Sequence, residues 1–98
     1  MIERFLNQSA IWRHVIDRDG HAQPVHDSDV VIRVRWEGKR RLVRDRRGQE
    51  VVSEARMFCL EPVQPGDEIE YAGRRWTAIA VSEMAGLDGE VLYREVVL

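Results

Sequence analysis

The chain has 98 residues, of which 44% are hydrophobic and 33% charged, with three histidines and a single cysteine. That length supports one domain around a modest core, and the apolar share excludes a disordered chain. No apolar run approaches the ~20 residues of a membrane span, residues 1–8 carry charge and no long apolar stretch of the secretory kind, and Cys59 has no second cysteine to pair with, which fits a reducing cytoplasm.

The net charge of −2 hides a split. Residues 33–47 hold Arg33, Arg35, Lys39, Arg40, Arg41, Arg44, Arg46 and Arg47 against only Glu37 and Asp45, a window of +6 facing −8 in the rest of the chain. Two surfaces of opposite sign suit contacts with different partners. A solvated strand face with long polar side chains accounts for the same pattern.

In chain order, residues 2–7 read either as one helical turn or as an extended arm, so 1–8 is a candidate flexible arm. Residues 10–17 suit a strand with Trp12 and Ile16 on one side. From 17 to 29 the chain is polar and aperiodic, and a loop of that length tends to be functional or disordered. Residues 30–37 alternate strictly, with Val30, Ile32, Val34 and Trp36 opposite Val31, Arg33, Arg35 and Glu37. A one-residue slip would bury arginines, so the register is firmly set.

Gly38 predicts a tight turn at residues 37–39, with a second strand returning over 40–45. Arg46, Arg47, Gly48 and Gln49 predict the next turn, where Gly48 takes a left-handed conformation cheaply. Residues 50–60 form a long strand whose apolar bulk comes from Val51, Val52, Ala55, Met57, Phe58 and Leu60. Pro65-Gly66 suits the centre of a type II turn. A short strand at 68–71, a turn at Ala72-Gly73, a strand at 74–84 covered on both faces, a loop at 85–89 and a last strand at 90–98 complete the reading. The fold class expected is all-β: a small six- to seven-stranded barrel, closed or nearly so, which removes exposed edges.

Motifs for chemistry are missing. Neither GxxxxGK[ST] nor GxGxxG occurs, and Ser9, Ser28, Ser53 and Ser82 lack a nucleophile-elbow context. Cys59 lies between Phe58 and Leu60 and reads as a packed thiol. His21, His26, Asp27 and Asp29 share a loop with Asp17 and Asp19, but at no familiar zinc or calcium spacing. His14 reads as a satisfied core or boundary histidine. The acids Asp67, Glu68, Glu70, Asp88 and Glu90 read as hairpin-tip residues rather than as an acid–base pair in a cleft. No catalytic, cofactor or metal site is expected. Basic residues 33–47 would suit phosphate contact, but the pI of about 5.9 and the lack of stacking aromatics among the arginines argue against a dedicated single-strand binder.

Three segments carry a resemblance. Arg33-Val34-Arg35-Trp36-Glu37 leads, through basic residues, to Asp45-Arg46-Arg47-Gly48-Gln49-Glu50-Val51-Val52-Ser53-Glu54-Ala55. Val63-Gln64-Pro65-Gly66-Asp67-Glu68-Ile69 is followed by Gly73-Arg74-Arg75-Trp76-Thr77-Ala78-Ile79, and residues 84–98 close the set. In this order, over roughly residues 10–98, the chain resembles the head-closure (stopper) family of tailed-phage head–tail connectors. The turn–strand–turn–strand element alone is common among small barrels. Its combination with the RWE segment and a strand-final C-terminal segment is more specific. The extra basic content at 40–47 is a departure from the pattern.

The resemblance implies a non-enzymatic structural protein of a phage or prophage. It would dock as a ring beneath the portal and adaptor proteins, retain packaged DNA and offer a surface to tail proteins. Its place would be the virion neck, and the host cytoplasm during assembly, with neighbouring copies of itself and packaged double-stranded DNA as further contacts and no membrane partner. Arg40, Arg41, Arg44, Arg46 and Arg47 on one hairpin, with His21 and His26 on the 17–29 loop, are the candidate neighbour-contacting or channel-facing residues. The alternative reading is a small SH3-like or OB-like barrel acting as a nucleic-acid-binding or adaptor module.

Overall fold

The strict alternation around Trp36 becomes the inner and outer rows of one long strand. In the computed structural model, which describes residues 2–18, 24–26 and 28–98, Ile32 and Val34 are 2% and 0% exposed while Val31 is 72% exposed. After a 3-10 turn at Ile2–Phe5, the described strands are β1 (Gln8–Arg13), β2 (Val15–Arg18), β3 (Pro24–His26), β4 (Val30–Arg44), β5 (Glu50–Cys59), β6 (Glu68–Tyr71), β7 (Arg74–Thr77), β8 (Ala80–Ala85) and β9 (Val91–Val97). Seven of them form one antiparallel sheet in the order β7-β6-β1-β4-β5-β9-β8, and β2 pairs with β3 in a separate ribbon.

The fold is therefore all-β, as its period-two patterning requires, but the sheet is not closed by a ladder. Its two edges, β7 and β8, are consecutive in the chain. Between them Ala78 donates to the Asp67 carbonyl at 2.9 Å and accepts from the Gly66 N–H at 2.8 Å, while Ile79 donates to the Val97 carbonyl at 2.7 Å. The chain thus steps from the β6 side to the β9 side in two residues, and the curled sheet is joined there rather than along paired strands. Inside the curl, Ala10, Ile32, Val34, Met57, Cys59, Val63, Ile69, Ala78, Val96 and Leu98 form one buried cluster, flanked by Trp12, Trp36, Tyr71, Trp76 and Val81.

That crossing corrects the expected single strand over 74–84. The chain needs a break at Ala78 and Ile79 to change sides, and its halves are edge strands on which Thr77 is exposed, so it is not covered on both faces. Gly38 corrects a second expectation. No turn forms at 37–39, because β4 stays paired with β5 on both sides of it, from Gly38 opposite Ala55 to Arg41 opposite Ser53. Lys39 and Arg40 together face Glu54 alone, which makes a β-bulge with one extra residue on β4. The extra residue inverts the side-chain phase. Leu42, in step with Ile32, Val34 and Trp36 by sequence, is moved to the outer row and is 67% exposed.

Residues 10–17 are likewise not one strand. The chain breaks at His14, and Ile16 is 60% exposed rather than sharing a buried side with Trp12. The 17–29 segment is not all loop, since its residues 24–26 pair with β2. Four turns agree with the reading. Gln64, Pro65, Gly66 and Asp67 close a β-turn through Asp67 N–H to the Gln64 carbonyl at 3.0 Å, with Gly66 at φ +94°. Ala72 and Gly73 both take positive φ, which is the hairpin geometry that follows the twist of the strands. Turns also form at Gly48 and through residues 86–89. On β5, the apolar bulk divides: Ala55 and Met57 are core, while Val52 is exposed.

Candidate functional site

The basic residues gather on the far half of the β4–β5 hairpin, which reaches beyond its neighbours. β1 pairs with β4 only as far as Val34, and β9 pairs with β5 only from Arg56 onward. Arg41 to Arg44 therefore pair with Ser53 to Glu50 and, among the described residues, with no third strand. The tip is set by Asp45, whose Oδ1 accepts the backbone N–H groups of Arg47 at 2.8 Å and Gln49 at 3.0 Å. Its carbonyl accepts from Gly48 at 2.9 Å.

The five candidate arginines of this hairpin do different things. Arg40 and Arg47 are exposed, and their guanidinium groups have no ion-pair partner among the described residues. Arg41 is partly buried, 3.4 Å from Glu95. Arg44 donates to the Gly48 carbonyl at 2.7 Å and lies 3.6 Å from Glu50. Arg46 leans back onto the β-turn before β6, donating to the Pro65 carbonyl at 3.3 Å, where a side chain at Gly66 would crowd it. An open cleft of about 360 Å³ runs between this tip and residues 66 and 77–79. His26 lies on β3, its backbone opposite Val15, and His21 lies outside the described residues. The described structure therefore places the five arginines on one hairpin and His26 on a separate two-stranded ribbon.

On the outer face next to the hairpin, Phe5, Arg35, Glu37, Phe58 and Tyr93 line a shallow cleft of about 370 Å³. Arg56 donates to Glu37 at 2.7 Å and lies 5.3 Å over the Phe58 ring. These contacts brace Arg56 across the cleft. Three of the aromatic groups are used inside, where Trp36 stacks on Tyr71 at 4.2 Å between centroids and tilts against Trp76 at 5.3 Å, while Phe5, 55% exposed, Phe58 and Tyr93 stay at the outer cleft.

Two sites that the sequence reading passed over hold the sheet together. Arg13 is buried and pairs with Asp29 at 2.8 Å, Glu68 at 2.7 Å and Glu70 at 3.0 Å. These hydrogen bonds, Asp29 foremost, push its pKa further above the ordinary arginine value. Asp67, 1% exposed, accepts from Trp12 Nε1 at 2.9 Å, Val15 N–H at 3.1 Å and Gln64 N–H at 2.9 Å, with His14 Nδ1 3.0 Å away. The acids expected to decorate a hairpin tip are structural: Asp67 ties the β1–β2 break to the Pro65-Gly66 turn, and Glu68 and Glu70 hold Arg13. The signal available was an acid directly after Pro-Gly, where its carboxylate can cap the turn that precedes it.

His14 is a partnered boundary histidine. Cys59 is 0% exposed, and burial, with a smaller contribution from Glu61, pushes its thiol up to about 12. A thiol held that high is a poor nucleophile at neutral pH. Among the described residues no three His, Cys, Asp or Glu side chains are grouped to hold a metal ion, and no helix is long and apolar enough to cross a membrane. No protein-family model and no curated protein matches the chain.

Proposed function

We propose that this protein is a structural head–tail connector of a tailed phage or prophage, of the head-closure (stopper) type. In this reading copies dock as a ring under the portal and adaptor proteins in the virion neck, retain packaged DNA and present the surface to which tail proteins attach. The observation that carries the reading is the ordered set of motifs from Arg33 to Leu98, shared with that family as a resemblance. The fold supports it in a specific way. The RWE segment supplies the core strand β4, and the same strand continues past a bulge into a basic hairpin with no third strand beside it among the described residues. A small rigid sheet with a protruding charged hairpin is suited to binding neighbours, not to chemistry. Deleting the gene and imaging lysates by electron microscopy tests the proposal. Heads that package DNA but lose it, beside complete free tails, are expected; normal infectious particles would refute it.

One observation favours a second reading, a nucleic-acid-binding module: Arg40 and Arg47 stand on an exposed hairpin without ion-pair partners among the described residues. Phosphate contact by such groups weakens steeply with salt. Retention of duplex DNA by the purified chain at ~0.15 M salt, lost with Arg40→Glu and Arg47→Glu, would support that reading over the connector.

A further inference from the structure

We propose that this protein accepts an extended, carboxylate-bearing segment of a different protein as an added β-strand, in the lane beside β5 that β9 leaves open. The inference starts from backbone groups. On β7, Trp76 pairs with Ile69, and Ala78 donates to Asp67 and accepts from Gly66, both on the β6 side. Backbone groups along a strand alternate between its two neighbours, so the N–H and C=O of Arg75 and Thr77 point away from β6. Ile79, next in that alternation, shows what lies there. Its N–H reaches the Val97 carbonyl at the end of β9, at 2.7 Å.

β5 offers a matching edge. The N–H groups of Glu54 and Ala55 both donate to the Leu98 carbonyl, at 2.8 and 3.2 Å, the pattern of a β-bulge. The bulge shifts the alternation by one residue, and the bond from Asp45 N–H to the Gln49 carbonyl at 2.9 Å fixes it from the tip. Val51 and Ser53 therefore turn their backbone groups to β4, while Glu50 and Val52 turn theirs to the lane of β9. At Val97 and Leu98 one strand fills that lane, bonded to Ile79 on one side and to Glu54 on the other. Past Leu98, among the described residues, it opens into the cleft of about 360 Å³ walled by Val51, Thr77, Ala78 and Ile79. A strand entering there continues the direction of β9, antiparallel to both β5 and β7. It meets Val52 and Glu50 on one side and Thr77 and Arg75 on the other, and it closes the seam of the curled sheet. Unpaired strand edges are templates for such addition.

The charges along the lane select the occupant. Three acids border it, and each is engaged. Glu50 lies 3.6 Å from Arg44 and Glu54 3.4 Å from Arg74, while Asp45 accepts the N–H groups of Arg47 and Gln49. Arg46 and Arg47, both lining the cleft, have no carboxylate partner among the described residues. The lane thus keeps a cationic end over a floor of half-buried Val51 and Ile79 and buried Ala78. Side chains of an extended segment point alternately to opposite faces. Apolar residues toward that floor and acids at the positions between them satisfy both, and complementary charge sets the register. This goes beyond the connector reading and does not depend on it, since it concerns the purified chain and a peptide.

The probe is a fluorescein-labelled peptide of alternating valine and glutamate, about six residues long, enough to run from Leu98 to the hairpin tip at ~3.3 Å per residue. Its anisotropy with the purified protein is expected to saturate below ~1 mM. The same peptide N-methylated at alternate residues keeps its charge and loses the N–H donors of one edge. It is expected to bind about tenfold more weakly or worse. Arg46→Glu with Arg47→Glu, at exposed positions, is expected to weaken the unmodified peptide, and an alternating valine–lysine peptide is expected not to bind. Bound peptide is also expected to slow amide hydrogen exchange at Val52 and Thr77. No saturable binding up to ~1 mM overturns the proposal. Equal binding by the N-methylated peptide overturns it too, since charge alone would then hold the probe. So does duplex DNA that displaces the peptide while exchange at Val52 and Thr77 is unchanged, which would mean phosphate contact. If deletion of the gene gives leaking heads but the peptide never binds, the connector reading stands and this inference falls.

Discussion

Asp67 holds the indole N–H of Trp12 at 2.9 Å from a position 1% exposed, across 55 residues of sequence. The same carboxylate takes two backbone N–H groups, so its removal strands several donors at once. Each buried donor left without a partner costs about 1–3 kcal/mol. Asp67→Ala is expected to lower stability by about 3 kcal/mol or more in denaturant unfolding, and Asp67→Asn by less, because the amide keeps an acceptor oxygen. Loss of under ~1 kcal/mol in Asp67→Ala would show that water replaces the carboxylate.

Arg13 lies among Asp29, Glu68 and Glu70. Removing one partner of a fully buried ion pair costs about 3–5 kcal/mol, and the cost is lower here because the acids left behind are partly solvated, Asp29 at 55% exposure. Arg13→Ala is expected to be among the most damaging single substitutions in the chain. Arg13→Ala with Glu68→Gln and Glu70→Gln should recover part of the loss, as measured by urea midpoints.

Burial holds the Cys59 thiol at about 12, above its ordinary 9.0. An acid raised in the folded state leaves stability intact below the unfolded value, and stability falls as pH climbs from about 9 toward 12, where only the unfolded chain ionises. The slope reaches about 1.4 kcal/mol per pH unit. The native protein should react with thiol reagents at pH 8 far more slowly than the urea-unfolded chain. Cys59→Ala should flatten the alkaline fall, and an unchanged fall in that variant would assign it to other groups.

Ala72 takes φ +53°, beside Gly73 at +77°. A side chain in the left-handed region costs about 1–2 kcal/mol relative to glycine, whereas glycine loses more entropy on folding. Ala72→Gly is therefore expected to stabilise by up to about 1 kcal/mol. Gly66→Ala, at φ +94° with Arg46 at 3.3 Å from the new Cβ, is expected to destabilise. Thermal unfolding of both variants checks the opposite signs.

These positions show what was legible in the residues and what was not. Alternation alone set the inner row of β4 at Ile32 and Val34, and Pro-Gly chemistry set the turn before β6, because both depend on neighbours in sequence. Cys59 between apolar residues was readable as core for the same reason. Gly38 was misleading, since glycine serves a bulge as well as a turn, and only the pairing with Ala55 and Ser53 decides between them. The crossing at Ala78 and Ile79, the burial of Arg13 and the contacts of Asp67 with Trp12, His14 and Val15 arise from pairings 11 to 55 residues apart, for which local patterns carry no mark. The candidate arginines were found by charge, but their division into Arg41, Arg44 and Arg46, which hold partners, and Arg40 and Arg47, whose guanidinium groups have none among the described residues, needed the fold.

Reversal of Arg40, Arg41 and Arg44 to glutamate is expected to leave the sheet intact, since Arg40 and Arg44 are exposed and Arg41 meets Glu95 only at 3.4 Å. The variant is expected to be missing from purified particles when supplied in place of the wild-type protein, as read by mass spectrometry of virions. Normal incorporation would remove the basic hairpin from the assembly surface.

The most direct measurement is add-back. DNA-filled heads from a strain deleted for this gene are mixed with the purified protein and free tails, then scored for nuclease-resistant DNA and for plaque formation. The connector account predicts that the protein alone raises the protected DNA and that protein with tails restores infectivity. Heads that lose their DNA equally with and without the protein would contradict it.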